Sequence, residues 1–234
     1  MIVLRSFAFM AWFLLLTIVL AVLFLPALAL PRGVTAWMAR YWARGTFWGL
    51  RVFCGIAWRI VGSPPCGPVL IASKHMSMWD TLALYLALDQ PGIVLKRELL
   101  LIPFYGWYLW KAAAIPIDRE GGAKALRRMT HAAQTVIAEG RPILIFPEGT
   151  RKKPGAPPDY KAGVAGLYAL LGLPCVPAAL DSGAYWTGFL KRPGTITLEF
   201  LEPIAPGLKR AAFMAVLQQR IEGATDRLLA ASAR

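Results

Sequence analysis

The sequence predicts an α/β protein with a mostly parallel central sheet flanked by helices, preceded by an N-terminal hydrophobic membrane-anchoring helical segment. The fold class follows from short apolar runs that alternate with helical patterns after residue 62. The anchor follows from composition, because 57% of the 234 residues are hydrophobic and the mean hydropathy of +0.50 exceeds that of soluble chains. We therefore divide the chain into an anchoring region over residues 1–61 and an α/β domain over residues 62–234.

The first helix of the anchoring region is predicted over about residues 6–30. No charged residue occurs between Phe7 and Leu30, and a helix of that length extends about 36 Å, enough to cross a hydrocarbon core about 30 Å thick. Pro26 and Pro31 are expected to kink or end it. A cleaved signal peptide is the alternative, although this apolar run exceeds the core of about 7–15 residues that such peptides carry.

A second helix is predicted over about residues 33–61, lying in the headgroup layer. Its basic residues fall within a sector of about 100° on a helix, and aromatic side chains surround them, a pattern typical of interfacial helices. These residues are Arg40, Arg44, Arg51 and Arg59, with Trp37, Tyr41, Trp42, Phe47, Trp48, Phe53 and Trp58. The alternative is a helix of the folded core with a solvated arginine edge. The arginine excess places the α/β domain on the cytoplasmic side, and the sequence leaves open whether the first helix spans the bilayer or re-enters.

The α/β domain begins after a turn-rich break at residues 62–68. Strands are predicted at residues 69–73, 92–95, 113–117, 143–146, 175–179 and 195–200. Helices are predicted at residues 78–88, 123–139, 161–171 and 208–231. Such alternation is typical of parallel sheets, whose ligands bind at the carboxyl ends of the strands.

Charge and cysteine content narrow the function classes. The formal net charge of +13 indicates an anionic partner, and the apolar character of the chain favours lipid over nucleic acid. Cys54, Cys66 and Cys175 are scattered, so they predict neither a disulfide framework nor a zinc site. No metal site is predicted.

The stretch from Ser73 to Asp80 joins a predicted strand to a predicted helix. Ser77 and Asp80 have the spacing of a capping box, with Ser77 as the N-cap. His75 then lies just outside the helix and can fold back toward Asp80. A carboxylate that accepts one imidazole N–H leaves the other nitrogen free to take a proton, which suits base catalysis. The alternative is an ordinary helix cap beside a turn histidine.

Two further blocks end strands with an acidic residue that is followed by an arginine. They are Ile115-Pro116-Ile117-Asp118-Arg119 and Ile145-Phe146-Pro147-Glu148-Gly149-Thr150-Arg151. A guanidinium can give phosphate two charge-assisted hydrogen bonds, and a glycine lets the backbone turn sharply or approach a ligand. Glu148 is expected to orient Arg151 or to bond a substrate hydroxyl. Structural Asp118–Arg119 and Glu148–Arg151 ion pairs are the alternative.

The order of these blocks resembles the lysophospholipid acyltransferase family, most closely its bacterial 1-acylglycerol-3-phosphate acyltransferases. The resemblance covers residues 62–205. It is carried by His75-x-x-x-x-Asp80, Ile115-Pro116-Ile117-Asp118-Arg119, Phe146-Pro147-Glu148-Gly149-Thr150-Arg151 and Val176-Pro177-Ala178, with weaker support from residues 96–107. Lys74 departs from the pattern, because many members have asparagine before the histidine.

The resemblance implies an acyl transfer from acyl-CoA or acyl carrier protein to the sn-2 hydroxyl of lysophosphatidic acid, at a bacterial inner membrane. His75 would be the general base and Asp80 its orienting partner. Acceptor binding would fall to Glu148, Gly149, Thr150 and Arg151, with Arg151 on the phosphate and with Lys96 and Arg119 as further phosphate contacts. No metal or organic cofactor is expected. The expected partners are the phospholipid bilayer, the lysophospholipid and, as one donor, acyl carrier protein, but no nucleic acid.

Three alternatives remain open from the residues alone. The first keeps the enzyme but changes the acceptor, for example to a lyso-ornithine lipid. The second is a membrane-anchored protein that binds anionic lipid without catalysis. The third, a phosphatase, lacks a metal cluster or a suitable cysteine. His131, the second histidine, is expected on a helix surface without a catalytic role.

Overall fold

A computed structural model of the protein describes residues 1–118 and 122–232. Its centre is a seven-stranded sheet of order β1-β9-β6-β2-β5-β3-β4, with a separate β7–β8 hairpin. The strands are β1 Ile56–Val61, β2 Leu70–Ser73, β3 Gly92–Lys96, β4 Ile115–Ile117, β5 Ile143–Ile145, β6 Cys175–Leu180, β7 Trp186–Thr187, β8 Leu190–Lys191 and β9 Gly194–Phe200.

Eight α-helices accompany these strands within the described residues. They are α1 Ile2–Leu23, α2 Arg32–Gly49, α3 Met78–Ala87, α4 Tyr105–Lys111, α5 Gly122–Ala138, α6 Gly163–Leu171, α7 Ser182–Tyr185 and α8 Arg210–Ser232. Short 3₁₀ turns cover Leu25–Ala29 and Arg97–Leu101, and a π-helical turn covers Leu50–Cys54.

The sheet confirms the predicted fold class. Every neighbouring pair in it is parallel except β6 and β9. Each of the six predicted strands is present, with small shifts at its ends. Antiparallel pairing of β9 with β6 reverses the direction of the last two strands, and β1 then pairs in parallel with β9.

Helices cover both faces of the sheet. On one face α1, α2 and α3 bury Phe9, Phe47 and Trp79 against strand residues such as Ile71. On the other face α5, α6 and α8 form a second core cluster that includes Met129, Leu167, Tyr168 and Phe213. Burial of each large apolar side chain is worth about 1.5–3 kcal/mol, so the sheet is held from both sides and its strand ends are fixed.

The predicted second anchoring helix is wrong beyond residue 54. After the π-helical turn, Gly55 adopts a positive φ of 68°, a conformation that favours glycine. The chain then forms β1, with Ile56 opposite Gly194 in the parallel pairing with β9. Six residues assigned to the anchoring region therefore belong to the central sheet, because backbone pairing along the edge outweighs the helical pattern of the sequence.

The predicted arginine stripe is divided among different elements for the same reason. Arg40 on α2 donates to the carbonyl oxygens of Leu86 and Leu88, both at 2.9 Å, and so caps the end of α3. Arg59 lies on β1 and donates to Thr197 Oγ1 at 3.1 Å. At Arg40 the alternative of a helix packed on the folded core fits better than an interfacial helix. At Arg59 both helical interpretations are wrong, because this residue lies on a strand.

Helix α1 is the one helix in the described chain that is long and apolar enough to cross a membrane. Its mean hydropathy is 2.5, and it ends before Pro26, as predicted from that proline. One flank packs on the rest of the protein, where Phe9 is buried and Trp12 Nε1 donates to Gly45 O of α2 at 3.0 Å. The opposite flank exposes large apolar side chains, among them Phe7 and Leu15.

Candidate active site

Three adjacent parallel strands bring the predicted blocks together at the carboxyl-terminal end of the sheet. In the central strand β2, Ala72 is opposite Ile145 of β5 on one side and Pro177 of β6 on the other. The residues that follow these three strands must therefore meet. His75 follows β2, residues 146–151 follow β5, and Ser182 follows β6.

His75 and Asp80 form the predicted pair. His75 Nδ1 lies 3.0 Å from Asp80 Oδ2, and Asp80 is completely buried. Ser77 is the N-cap of α3, and both halves of its capping box with Asp80 are present. The backbone N–H groups of Met76 and Ser77 also donate to Asp80 Oδ2, at 2.6 and 2.8 Å. An ionised carboxylate only accepts hydrogen bonds, so Nδ1 is the protonated nitrogen of His75 and Nε2 is free to accept a proton.

Ser182 is a site residue that the sequence analysis missed. Its Oγ donates to Asp80 Oδ1 at 2.5 Å and lies 2.9 Å from Ser77 Oγ. Ser77 Oγ is itself 3.1 Å from the same carboxylate oxygen. The only signal in the sequence is that Ser182 closely follows a predicted strand, since it is 102 residues from Asp80.

Phe146 packs against one face of the His75 ring. The two rings are stacked, with centroids 4.0 Å apart, and 12% of the His75 side chain remains exposed. Asp80 and Phe146 together hold the imidazole in one orientation while its edge stays accessible. A base must be both positioned and reachable, and this arrangement meets both conditions.

The loop after β5 carries Arg151 to the same place. Gly149 turns the chain with a φ of 63°, and Lys152 N donates to His75 O at 2.9 Å. Thr150 and Arg151 are exposed. Desolvation raises the pKa of Tyr105, and the Arg151 guanidinium is close enough to oppose that shift. The loop that carries the exposed Arg151 is thus hydrogen-bonded to the backbone of His75.

Glu148 points inward and pairs with Lys74, so the predicted Glu148–Arg151 pairing is wrong. Lys74 Nζ lies 3.0 Å from Glu148 Oε1 and 2.9 Å from both carboxylate oxygens of Glu222 on α8. Tyr160 Oη donates to Glu222 Oε1 at 2.8 Å. Lys74 and Glu148 are each 2% exposed, because the residue before His75 continues β2 into the interior. Lys74 is therefore the cation that balances the buried charge of Glu148.

Burial disfavours the ionised form of the Glu148 carboxyl group. Desolvation raises its pKa, while the hydrogen bond and charge of Lys74 oppose the shift. Glu148 Oε2 is buried and has no hydrogen-bond partner among the residues that the structure describes. Lys74 thus joins the strand end at His75, the loop after β5 and the last helix through a single ammonium group.

The remaining predicted phosphate contacts are Lys96 and Arg119. Lys96 ends β3 at the same end of the sheet, is half exposed and lies 3.5 Å from Glu98. Asp118 lies 3.7 Å from Arg97, and Arg119 lies outside the described residues. His131 is exposed on α5, as expected. No group of three His, Cys, Asp or Glu side chains suited to a metal ion occurs in the part of the chain described.

An acyltransferase family model matches residues 61–181, more than half of the chain. The chain belongs to the acyltransferase family. The matched range contains His75, Asp80 and Arg151, and it ends one residue before Ser182. Family membership is thus based on the same strand ends that build the site.

Named relatives agree with this acyltransferase assignment. The chain is 39% identical over 159 residues to the 1-acyl-sn-glycerol-3-phosphate acyltransferase of Pseudomonas aeruginosa, covering 66% of this chain and 62% of that protein. It is 33% identical over 120 residues to the human 1-acyl-sn-glycerol-3-phosphate acyltransferase alpha, covering 51% of this chain and 42% of that protein. The chain therefore aligns with less than two thirds of the length of these relatives.

The acyltransferase fold extends over nearly the whole chain. The crystal structure of the 1-acyl-sn-glycerophosphate acyltransferase PlsC from Thermotoga maritima superimposes with a TM-score of 0.78, covering 97% of this chain and 98% of that one. At 18% identity this likeness concerns the fold. It includes the N-terminal helices as well as the sheet.

Proposed function

We propose that the protein transfers a fatty acyl group from a thioester, acyl-CoA or acyl carrier protein, to the sn-2 hydroxyl of 1-acylglycerol-3-phosphate, giving phosphatidic acid. One observation carries the proposal: the His75–Asp80 pair is hydrogen-bonded to the loop that presents Arg151. A base and a phosphate-binding group side by side fit an acceptor that carries both a hydroxyl and a phosphate. The names of the relatives support the choice of acceptor.

His75 acts as the general base. Its Nε2 removes the proton of the acceptor hydroxyl while that oxygen attacks the thioester carbonyl carbon. The carbon–sulfur bond then breaks, and the imidazolium returns the proton to the leaving thiolate. Asp80 stabilises the imidazolium, and base catalysis of this kind typically supplies about 10²–10⁴-fold. The thioester is already activated, so the step balances without a metal or an organic cofactor.

Transfer is direct, without a covalent acyl-enzyme. The hydroxyls of Ser77 and Ser182 are buried and engaged with Asp80 Oδ1. A nucleophile must face both the base and the substrate. Both serines instead lie behind the carboxylate, where they serve as its hydrogen-bond donors.

Arg151 binds the acceptor phosphate and places the sn-2 oxygen near His75. Positioning of this kind can contribute more than base catalysis. Gly149 and Thr150 shape the turn that presents Arg151, and Lys96 and Arg119 are the further phosphate contacts of this proposal. The geometry supports a different role for Glu148, which acts through Lys74 on the shape of the loop.

The protein attaches to a membrane, with the α/β domain on the cytoplasmic side. Lys191 N donates to Ser6 Oγ at 3.0 Å and Tyr108 Oη donates to Ala21 O at 3.1 Å. These contacts lie about 22 Å apart along α1, and both come from the α/β domain. A helix held along its length by one domain favours attachment to a single leaflet over a full crossing.

Acyl-transfer assays on the purified full-length chain test this function. His75→Ala should abolish turnover of lysophosphatidic acid with an acyl-CoA or acyl carrier protein donor, and His131→Ala is the matched control. Arg151→Ala should raise KM for this acceptor while changing turnover of a phosphate-free lysolipid little. Full turnover by His75→Ala would eliminate the proposed base. A wild-type preference for phosphate-free acceptors such as lyso-ornithine lipid would overturn the proposed acceptor.

A further inference from the structure

The segment from the end of β3 to the end of α4 exposes a row of large apolar side chains. These form what we call the aromatic patch: Leu101, Ile102, Phe104, Tyr105, Trp107 and Trp110. Leu101 is 80% exposed and Trp110 is 74% exposed. Single exposed apolar residues are ordinary on soluble proteins, but contiguous groups of this kind mark interaction surfaces.

The aromatic patch adjoins the membrane helix. Tyr108, on the same helix α4, donates its hydroxyl to Ala21 O at 3.1 Å, in the last turn of α1. The exposed flank of α1 near that point carries Val22 and Leu23. The apolar surface of α1 therefore continues into the patch instead of ending at the helix terminus.

Basic side chains border the aromatic patch. Lys96 is half exposed and Arg97 is 62% exposed at its start, and Lys111 ends α4. Arg151, the proposed phosphate-binding residue, lies close enough to act on Tyr105. Aromatic rings bordered by lysine and arginine are typical of the boundary between acyl chains and anionic headgroups.

We propose that the aromatic patch is a second membrane-contacting surface, separate from α1 and α2, that inserts into a bilayer containing anionic lipid. Trp107 and Trp110 enter the upper acyl region, since indole combines a large apolar body with one polar N–H group. The basic border then lies in the headgroup layer. Continuity with α1 and the charge of the border favour a bilayer over a protein partner.

This surface explains how the site reaches its acceptor, a point that rests on the proposed function. With the patch inserted, Arg151 lies at headgroup depth. A lysolipid can then present its phosphate and hydroxyl to the site while its acyl chain stays in the leaflet. The acyl chain need not be transferred into water, which would cost about 0.8 kcal/mol for each methylene group.

Depth measurements with a spin label test the surface without using acyl transfer as a readout. In a Cys66→Ser background, which removes the exposed cysteine and keeps the two buried ones, Trp110→Cys carries the nitroxide. Leu101→Cys provides an independent position, and Leu170→Cys on α6, 50% exposed, is the matched control. Each full-length protein is reconstituted into vesicles of equal parts phosphatidylcholine and phosphatidylglycerol.

Labels at 101 and 110 should be accessible to oxygen and shielded from a polar nickel chelate, with an oxygen-to-nickel accessibility ratio severalfold above that of the label at 170. In vesicles of phosphatidylcholine alone this ratio should fall, because the basic border loses its anionic partners. Ratios equal to that of the label at 170 would overturn the proposal. Shielding of labels 101 and 110 from both reagents would also overturn it, since that result indicates a second copy or another protein. The acyl-transfer assays above stand independently of all these outcomes.

Discussion

Asp80 and Ser182 lie 102 residues apart in the sequence, yet Ser182 Oγ donates a 2.5 Å hydrogen bond to Asp80 Oδ1. Adjacent strands β2 and β6 produce this contact, since each delivers one residue at its carboxyl end. The other oxygen of Asp80 faces His75. Ser182 therefore positions the carboxylate through Oδ1, while Oδ2 orients the imidazole. Substitutions of Asp80 and of Ser182 test these two contacts separately.

Asp80→Asn should lower kcat by about 10²–10⁴-fold, the usual range for base catalysis. The backbone N–H groups of Met76 and Ser77 hold the amide oxygen of the variant at the position of Asp80 Oδ2, so His75 keeps its orientation but loses the negative charge that stabilises its imidazolium. KM for lysophosphatidic acid should change little, because Arg151 is untouched. Steady-state kinetics with Asp226→Asn, an exposed carboxylate on α8, as control would test this. An unchanged kcat for Asp80→Asn would contradict a role for the Asp80 charge in stabilising the imidazolium.

Ser182→Ala should lower kcat about tenfold with KM unchanged. A hydrogen bond to a charged group is worth about 1.5–3 kcal/mol, and about 1.4 kcal/mol corresponds to a factor of ten in rate. Ser232→Ala is the matched control, since Ser232 Oγ donates at 2.6 Å to another carboxylate, Asp181. Both variants should lose some thermal stability, but only Ser182→Ala should lose turnover. Equal turnover losses would indicate a general structural effect.

Lys74→Met should destabilise the fold by about 3–5 kcal/mol, the usual cost of leaving buried charges without their partner. Glu148 and Glu222 would then face each other without the ammonium group that separates them. Lys74→Met combined with Glu148→Gln should recover part of the loss, because one buried charge is removed. Thermal unfolding in detergent would measure this, with exposed Lys153→Met as control. A double variant no more stable than Lys74→Met would contradict direct coupling between Lys74 and Glu148.

The sequence predicted the elements of the site because those signals are local. Apolar runs marked the six strands, and the spacing of Ser77 and Asp80 marked the cap that brings His75 back to its partner. The carboxyl ends of adjacent parallel strands lie together, so the contact between the loop after β5 and His75 also followed. The strands and the cap depend on residues within one strand or one turn of each other, and the meeting of the strand ends depends only on the parallel pairing of β2 with β5.

The missed features depend on contacts between distant parts of the chain. Residues 56–61 carry apolar and aromatic side chains that fit a helix or a strand, and only pairing with β9 decides between them. Lysine is rarely buried, so the sequence alone does not predict that Lys74 is an interior residue. Its burial depends on Glu148 and Glu222, which come from distant parts of the chain. Ser182 and Glu222 have no local motif, and only packing of β6 and α8 makes them part of the site.

Lys191 provides a pH test of the region where α1 meets the domain. It is 1% exposed, and its Nζ donates to Gly188 O and Phe189 O at 2.8 and 2.9 Å. The ammonium also lies 4.5 Å from the centroid of the Trp186 ring. Desolvation nevertheless dominates and lowers the pKa of Lys191 from 10.5 to about 8.

Stability should therefore rise with pH through the Lys191 titration. Below about pH 8 the folded protein carries the full cost of a buried charge. Between about pH 8 and 10.5 the unfolded chain holds a proton that the folded protein has released, so the free energy of unfolding increases by at most about 1.4 kcal/mol per pH unit. Lys191→Met removes this group. The free energy of unfolding of the wild type minus that of the variant should therefore become more positive as pH rises through the same window.

Thermal unfolding of both proteins in detergent across that window would measure the difference, with Lys153→Met as control for an exposed lysine. Taking differences cancels titrating groups that do not interact with Lys191. Burial raises the pKa of the Cys54 thiol and the Lys191 charge opposes that shift, so both proteins carry Cys54→Ala. A difference in unfolding free energy that stays constant with pH would mean that Lys191 keeps its proton in the folded protein. In that case the two carbonyl groups and the aromatic rings would outweigh desolvation, and Lys191 would be a fixed charge joining the β7–β8 hairpin to α1.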